Sequence, residues 1–272
     1  MTASLGFGIA ALIAYTLSAL LLWRRLPLLR AGESPDKRGA LGIAMLGLLL
    51  HFGALAGCLC ISDGIDLGVL KALSLSGLVT LAIVIFSSLR QPLENLALPV
   101  LPLTMLALAA QLAWPTAPRN MIGHQPALEI HILLSILAYS LFTLAAMQAG
   151  LLASRHRALH ERRPGGLANI LPPLEQMETL LFRFIGTGFV LLTLALATGF
   201  MYLEDIFAQH LVHKTALSLV SWSVFGALLL GRHLMGWRGR TAVRWTLSGF
   251  GVLLLAYFGS KIVLEWVLGV QR

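Results

Sequence analysis

The stretch Ala127–Ala153, which reads ALEIHILLSILAYSLFTLAAMQAGLLA, decides the fold class of this chain. It carries one residue of ordinarily fixed charge, Glu129, in a run long enough to cross a bilayer. A helix spans the hydrocarbon layer in about 20 predominantly apolar residues. Polar and apolar residues do not alternate along the run, as they do in the strands of a membrane β-barrel. The stretch therefore predicts one transmembrane helix.

The rest of the chain repeats this pattern. Further apolar runs lie at 3–23, 40–61, 67–89, 95–114, 179–203, 214–231 and 243–268. The polar connections between them are too short for a folded extramembrane domain. The sequence predicts an all-α, polytopic bundle of about eight transmembrane helices. It forms a single integral-membrane domain over 1–272, with helices 1–4 in 1–126 and helices 5–8 in 127–268.

Composition agrees with this prediction. Of the 272 residues, 57% are hydrophobic and 12% are charged, whereas soluble domains average about 25% charged residues. The net charge is +8. Because the basic residues lie between the apolar runs, the charge indicates a lipid bilayer as the main partner and no nucleic acid.

The distribution of basic residues predicts the orientation. The connections after helices 1, 3, 5 and 7 hold five, one, four and three of the 20 Lys and Arg residues, and Arg244 lies just beyond the last of these connections. Basic loops stay in the cytoplasm. Both termini are therefore expected to be periplasmic, in a bacterial inner membrane. No basic residue precedes the first run, so we do not expect it to be a cleaved signal peptide.

Two histidines fall within the predicted spans. His131 lies about one turn inside the outer end of helix 5, a position that suits axial ligation of haem iron. The alternative is a histidine bonded to a neighbouring helix. His51 lies near the middle of helix 2, where an imidazole needs either a hydrogen-bond partner or a metal.

Two more histidines precede helix 7. His210 and His213 are three residues apart and share a face if the segment is helical. No third and fourth ligand lies nearby for a zinc site, and surface or capping roles are the alternative. His124, His156, His160 and His233 are expected to be solvated loop residues.

Other motifs carry little chemistry. Cys58 and Cys60 form a C-x-C pair, which is neither a redox C-x-x-C nor half of a zinc site, so they are expected to pack between helices. No phosphate-binding loop, dinucleotide-binding glycine motif or nucleophile elbow occurs. Intramembrane charges at Lys71, Lys261 and Glu265 leave a small-solute transporter open as a third interpretation.

Several segments together resemble the cytochrome c assembly family, which contains CcsA/CcmC-type haem-handling membrane proteins. They are the His131 segment, the run from Leu181 to Gly199 containing FRFIGTGF, the run from Lys214 to Phe225 containing Trp222, and the last helix from Ser248 to Gly259. In the family, the histidine that matches His131 is a haem ligand on the outer side. The resemblance implies an inner-membrane protein that binds or passes haem rather than an enzyme.

Two features of this sequence depart from the family's pattern. The family's tryptophan-rich loop is absent, and the segment from Glu204 to His213 stands in its place without a tryptophan. Of the family's outer histidine pair only His131 remains, a pattern similar to the YpjD/HemX-like branch.

If the protein binds haem, the candidate site residues are the following. His131 is the first candidate for the iron ligand, with His51, His210 or His213 second. Lys214 is expected to meet a propionate, and Trp222 to pack against the porphyrin. Other membrane proteins of cytochrome c maturation are expected partners. A non-enzymatic interaction protein that has lost haem handling is the rival interpretation.

Overall fold

A computed structural model describes residues 2–30, 35–61, 64–66, 68–89, 94–114, 121–122, 126–161, 171–202 and 209–259. Within these residues the chain forms eight α-helices. They are α1 (Thr2–Arg30), α2 (Arg38–Leu59), α3 (Val69–Ser88), α4 (Glu94–Ala113), α5 (Pro126–His160), α6 (Leu174–Tyr202), α7 (Gln209–Leu234) and α8 (Gly239–Leu254). A π-helical turn, Leu255–Gly259, continues α8.

Seven of these helices, α1 to α7, are long and apolar enough to span a membrane. The prediction of a multi-pass helical membrane protein is confirmed. The α-helical part of α8 has 16 residues, and the π-helical turn continues it to Gly259. Residues 260–268 of the span predicted at 243–268 lie outside the described residues. The direction in which the chain crosses the bilayer stays a prediction.

Several helices run further than the predicted spans. α1 continues to Arg30, so Arg24 and Arg25 lie on a helix rather than in a loop. α5 continues to His160 and α7 begins at Gln209. The predicted limits followed hydropathy, but arginine and glutamine are good helix formers that extend a helix beyond its apolar run.

A small sheet also forms in the connections, where no strand was predicted. β1 (Cys60–Ile61), β2 (Gly64–Asp66) and β3 (Met121–Ile122) are joined in that order, and both pairings are antiparallel. Each strand has two or three residues, which is too short for a periodic sequence signal. Cys58 lies in α2 and Cys60 in β1. The side chains of both cysteines lie outside the described residues.

The chain divides into two compact units. Unit 1 comprises Met1–Gln125 and Arg157–Pro172, and unit 2 comprises Pro126–His156 and Pro173–Arg272. The single integral-membrane domain over residues 1–272 stays a prediction.

In unit 1, α1 packs against α2 and α4, and α3 packs against the same two helices. Gly47 allows the closest approach between α1 and α2. A Cβ atom at Gly47 would lie 2.6 Å from the ring of Tyr15, so the buried tyrosine occupies the space that a side chain would need.

In unit 2, α7 packs against α6 and α8. Its core contains a stacked pair, Phe142 of α5 and Phe225 of α7, with ring centroids 3.9 Å apart. Both rings are fully buried. Gly188 of α6 lies beside them, since a Cβ there would be 3.2 Å from Phe142. These contacts hold α5, α6 and α7 together below the site described next.

Candidate functional site: two histidines at membrane depth

His131 is held against α6 by one nitrogen of its ring. Its Nδ1 lies 2.8 Å from the carbonyl oxygen of Ala195 and 3.3 Å from Oγ1 of Thr198. A carbonyl oxygen can only accept a hydrogen bond, so Nδ1 carries the proton and donates it. In a neutral imidazole the second nitrogen, Nε2, then bears a lone pair.

Among the residues that the structure describes, Nε2 of His131 forms no hydrogen bond, and the side chain is half-buried. A histidine that ligates a metal commonly donates its other N–H to a backbone carbonyl, which fixes the tautomer and the ring orientation. The contacts of His131 therefore match those of a preorganised ligand.

An apolar layer lies three turns along α5 from His131. Phe142 follows eleven residues later, so it lies on nearly the same helix face, and its ring stacks on that of Phe225. His131 itself lies in the second turn of α5, at the end of unit 2 where that helix begins.

Trp222 has its polar atom satisfied within unit 2. Its Nε1 donates to Oγ1 of Thr193 at 2.8 Å, and its ring stacks on Phe189 with centroids 5.3 Å apart. These contacts tie α6 to α7. The predicted packing of Trp222 against a porphyrin stays a prediction.

The start of α7 lies at the same end of unit 2 as His131. α6 and α7 run antiparallel, with Thr193 opposite Trp222, and His131 contacts α6 one to two turns before its end. Lys214 is half-buried in the second turn of α7. His210 and His213 lie in its first two turns, but their side chains, like all of 203–208, lie outside the described residues.

His51, in unit 1, uses both of its ring nitrogens. Nδ1 is 3.1 Å from the hydroxyl of Tyr15 on α1, and Nε2 is 2.8 Å from Oγ of Ser74 on α3. All three side chains are fully buried. His51 thereby links three helices, and it meets the need of a buried imidazole for partners without a metal.

Sequence reasoning missed the partners of both histidines. Ala195 acts through its backbone carbonyl, which no residue type announces, and Thr198 is 67 residues away from His131 along the chain. The expectation for His156 was wrong. It is half-buried on α5, its Nε2 is buried, and among the described residues this atom has no hydrogen-bond partner.

The sequence also raised a transporter pathway and a metal centre made of side chains. Lys71, one of the charges behind the transporter interpretation, is buried in the first turn of α3, whereas Lys261 and Glu265 lie outside the described residues. Over the part of the chain that the structure describes, no three His, Cys, Asp or Glu side chains are close enough to hold a metal ion. A metal centre made only of these side chains is therefore not supported there.

Comparison with known proteins places these features in a family. The chain is 32% identical to the inner membrane protein YpjD of Escherichia coli K12 over 265 residues, which cover 96% of this chain and 98% of that protein. It is 37% identical to an uncharacterized 28.8 kDa protein of Azospirillum brasilense over 144 residues, or 52% of this chain and 53% of that one. No solved structure matches.

A third relative bears a functional name. The cytochrome c biogenesis protein CcsA of Prochlorococcus marinus MIT 9515 is 33% identical over 104 residues, which cover 35% of this chain and 33% of CcsA. The family model described as cytochrome C assembly protein matches residues 40–268, which is most of the chain. The chain therefore belongs to the cytochrome c assembly protein family and is a multi-pass inner-membrane member of it.

Proposed function

We propose that this protein binds haem at the end of unit 2 where α5 begins, with Nε2 of His131 as an iron ligand. The observation that carries the proposal is the contact of Nδ1 with the Ala195 carbonyl, because it leaves the other nitrogen as a lone-pair donor. Haem iron accepts such a lone pair. The protein would hold or pass haem during cytochrome c assembly rather than catalyse a bond-forming reaction.

The neighbouring residues fit this group. The helices around His131 offer apolar surface, and Lys214 at the start of α7 supplies a cation for a propionate. A second iron ligand would come from His210 or His213, which lie in the first two turns of the same helix. His51 ranks behind them, since ligation by either of its nitrogens would cost a buried hydrogen bond.

The missing tryptophan-rich loop predicts weak binding. The segment from Glu204 to His213 offers one aromatic residue, Phe207, and two carboxylates that repel propionates. Each aromatic contact contributes about 0.5–1.5 kcal/mol beyond area burial. Loss of three such contacts lowers affinity by orders of magnitude, so we expect haem to be lost during purification and regained on titration.

The experiment is a haem titration of the purified protein, followed by absorption. His131→Ala should lower haem affinity by about tenfold or more, which is the loss expected from an axial ligand bond of more than 1.4 kcal/mol. His160→Ala is the matched control, because His160 is an exposed histidine on the same helix. Equal haem affinity in both variants would reject the role of His131.

The rival function is a membrane interaction protein without haem. The absence of tryptophan from the Glu204–His213 segment favours it. A wild-type protein that gives no saturable Soret shift at any haem concentration would support this rival and contradict the haem proposal.

The proposal also requires His131 to lie on the periplasmic side. Alkaline phosphatase is active only when it is exported. Fusions after residue 64 should be active, and a fusion after residue 160 should be inactive, because the basic connections hold their side in the cytoplasm. The reverse pattern would place His131 at the cytoplasmic face and contradict the proposed site.

A further inference from the structure

The hairpin that joins α7 to α8 has a defined conformation, and two exposed arginines, Arg240 and Arg244, follow it on α8. Gly236 and Gly239 have φ angles of +67° and +54°, which favour glycine, and they form the turn. The amides of Met235 and Trp237 both donate to the carbonyl of Gly231. The turn is therefore defined by backbone geometry and hydrogen bonds.

Side chains of unit 2 brace this turn. The guanidinium of Arg232 lies 4.7 Å from the centroid of the Phe182 ring and contacts the carbonyl of Trp237 at 3.4 Å. The carboxylate of Glu178 accepts a hydrogen bond from the amide of Gly239 at 2.8 Å. A carboxylate at a helix N-terminus is stabilised by the helix dipole, so Glu178 fixes the start of α8.

α8 has two distinct faces. The buried face consists of Ala242, Val243, Thr246, Gly249 and Leu253. The opposite face is exposed and changes character along the helix, from Arg240 and Arg244 in the first two turns to Leu247 and Leu255 further on. This change from arginine to leucine is the pattern of a helix that passes from the headgroup layer into hydrocarbon.

Aromatic and apolar residues mark the same level. Trp237 and Trp245 lie with ring centroids 5.1 Å apart beside the turn, and tryptophan is enriched at membrane interfaces. Leu234 and Met235 are 81% and 71% exposed at the tip of the hairpin. They are apolar side chains that a lipid surface would cover.

Arg240 and Arg244 are one turn apart on one face, and neither forms an ion pair with a carboxylate of the described residues. The carboxylate of Glu178, at the start of α8, accepts a hydrogen bond from the amide of Gly239. Two guanidinium groups at headgroup level attract phosphate, which they can bind in a bidentate manner. The charge on this face is complementary to an anionic lipid.

We propose that the exposed face of α8, with Arg240 and Arg244 at its centre, binds the headgroup of an anionic phospholipid at the membrane surface predicted to be cytoplasmic. The lipid phosphate would contact the two guanidinium groups, and the acyl chains would lie along Leu247 and Leu255. Trp237 and Trp245 would flank the headgroup. This inference does not depend on haem binding.

The test compares lipid occupancy of the full chain in detergent, measured by native mass spectrometry. The probes are dioleoylphosphatidylglycerol and dioleoylphosphatidylcholine. We expect the wild-type protein to prefer phosphatidylglycerol over phosphatidylcholine. In the double variant Arg240→Gln and Arg244→Gln this preference should be about tenfold lower, because each basic residue near the surface attracts anionic lipid. The pair Arg240→Lys and Arg244→Lys should retain most of it.

The matched control is the pair Arg24→Gln and Arg38→Gln, which removes the same charge from two exposed positions of unit 1. An equal loss in this control would show bulk charge attraction and overturn the proposed site. So would an unchanged preference in the Arg240 and Arg244 pair. Displacement of the lipid by millimolar inorganic phosphate would show a phosphate site and not a lipid site, which also contradicts the proposal.

Discussion

His51 and His131 both lie within apolar helices, yet their surroundings differ. In unit 1, Tyr15 and Ser74 occupy both nitrogens of His51, and the side chain is fully buried. In unit 2, one nitrogen of His131 is anchored to a backbone carbonyl and the other has no partner among the described residues. The proposed role of His131 as a haem ligand rests on this difference in the number of occupied nitrogens.

The largest expected effect on stability is in unit 1. His51→Ala leaves the hydroxyl groups of Tyr15 and Ser74 without their partner and opens a cavity between three helices. We expect a loss of roughly 2–4 kcal/mol in the free energy of unfolding. Thermal unfolding in detergent measures it, with His160→Ala as an exposed control. A His51→Ala protein as stable as that control would remove the structural role of His51 and break the contrast with His131.

A smaller effect is expected when the partners of His51 are removed one at a time. Tyr15→Phe and Ser74→Ala each delete one buried hydrogen bond, at about 0.5–1.5 kcal/mol. Because both bonds belong to one network, the double variant should lose a different amount from the sum of the two single losses. Strict additivity in a double-mutant cycle would show that His51 does not couple α1 to α3.

Much of the fold could be predicted because bilayer thickness sets the length of an apolar run. The predicted helix limits failed where polar residues continue a helix, as at Arg24 and His160, since hydropathy measures solvation and not helix formation. The sequence ranked His131 ahead of His51 as a haem ligand, but it did not predict how their surroundings differ. Their difference arises from contacts with residues 23 to 67 positions away along the chain, which a local pattern cannot contain.

The sequence could therefore predict which histidine is the candidate ligand, but not the hydrogen bonds that this histidine forms. Position near a helix end marked His131, and the family resemblance gave it a role. The carbonyl oxygen of Ala195 determines which ring nitrogen of His131 carries the proton. Because every residue has a backbone carbonyl, the residue type does not reveal this contact. The hydrogen bond from the indole N–H of Trp222 to Thr193 was likewise not predicted, and the packing of Trp222 against a porphyrin stays a prediction.

The most direct test of the account is a haem titration of His131→Gly with and without added imidazole. The glycine leaves space where the side chain was, and free imidazole can fill it and supply the missing lone pair. We predict that the variant loses the Soret shift of the wild-type protein and that imidazole restores it. A His131→Gly protein that shows the wild-type haem spectrum without imidazole would contradict the central claim that Nε2 of His131 is the iron ligand.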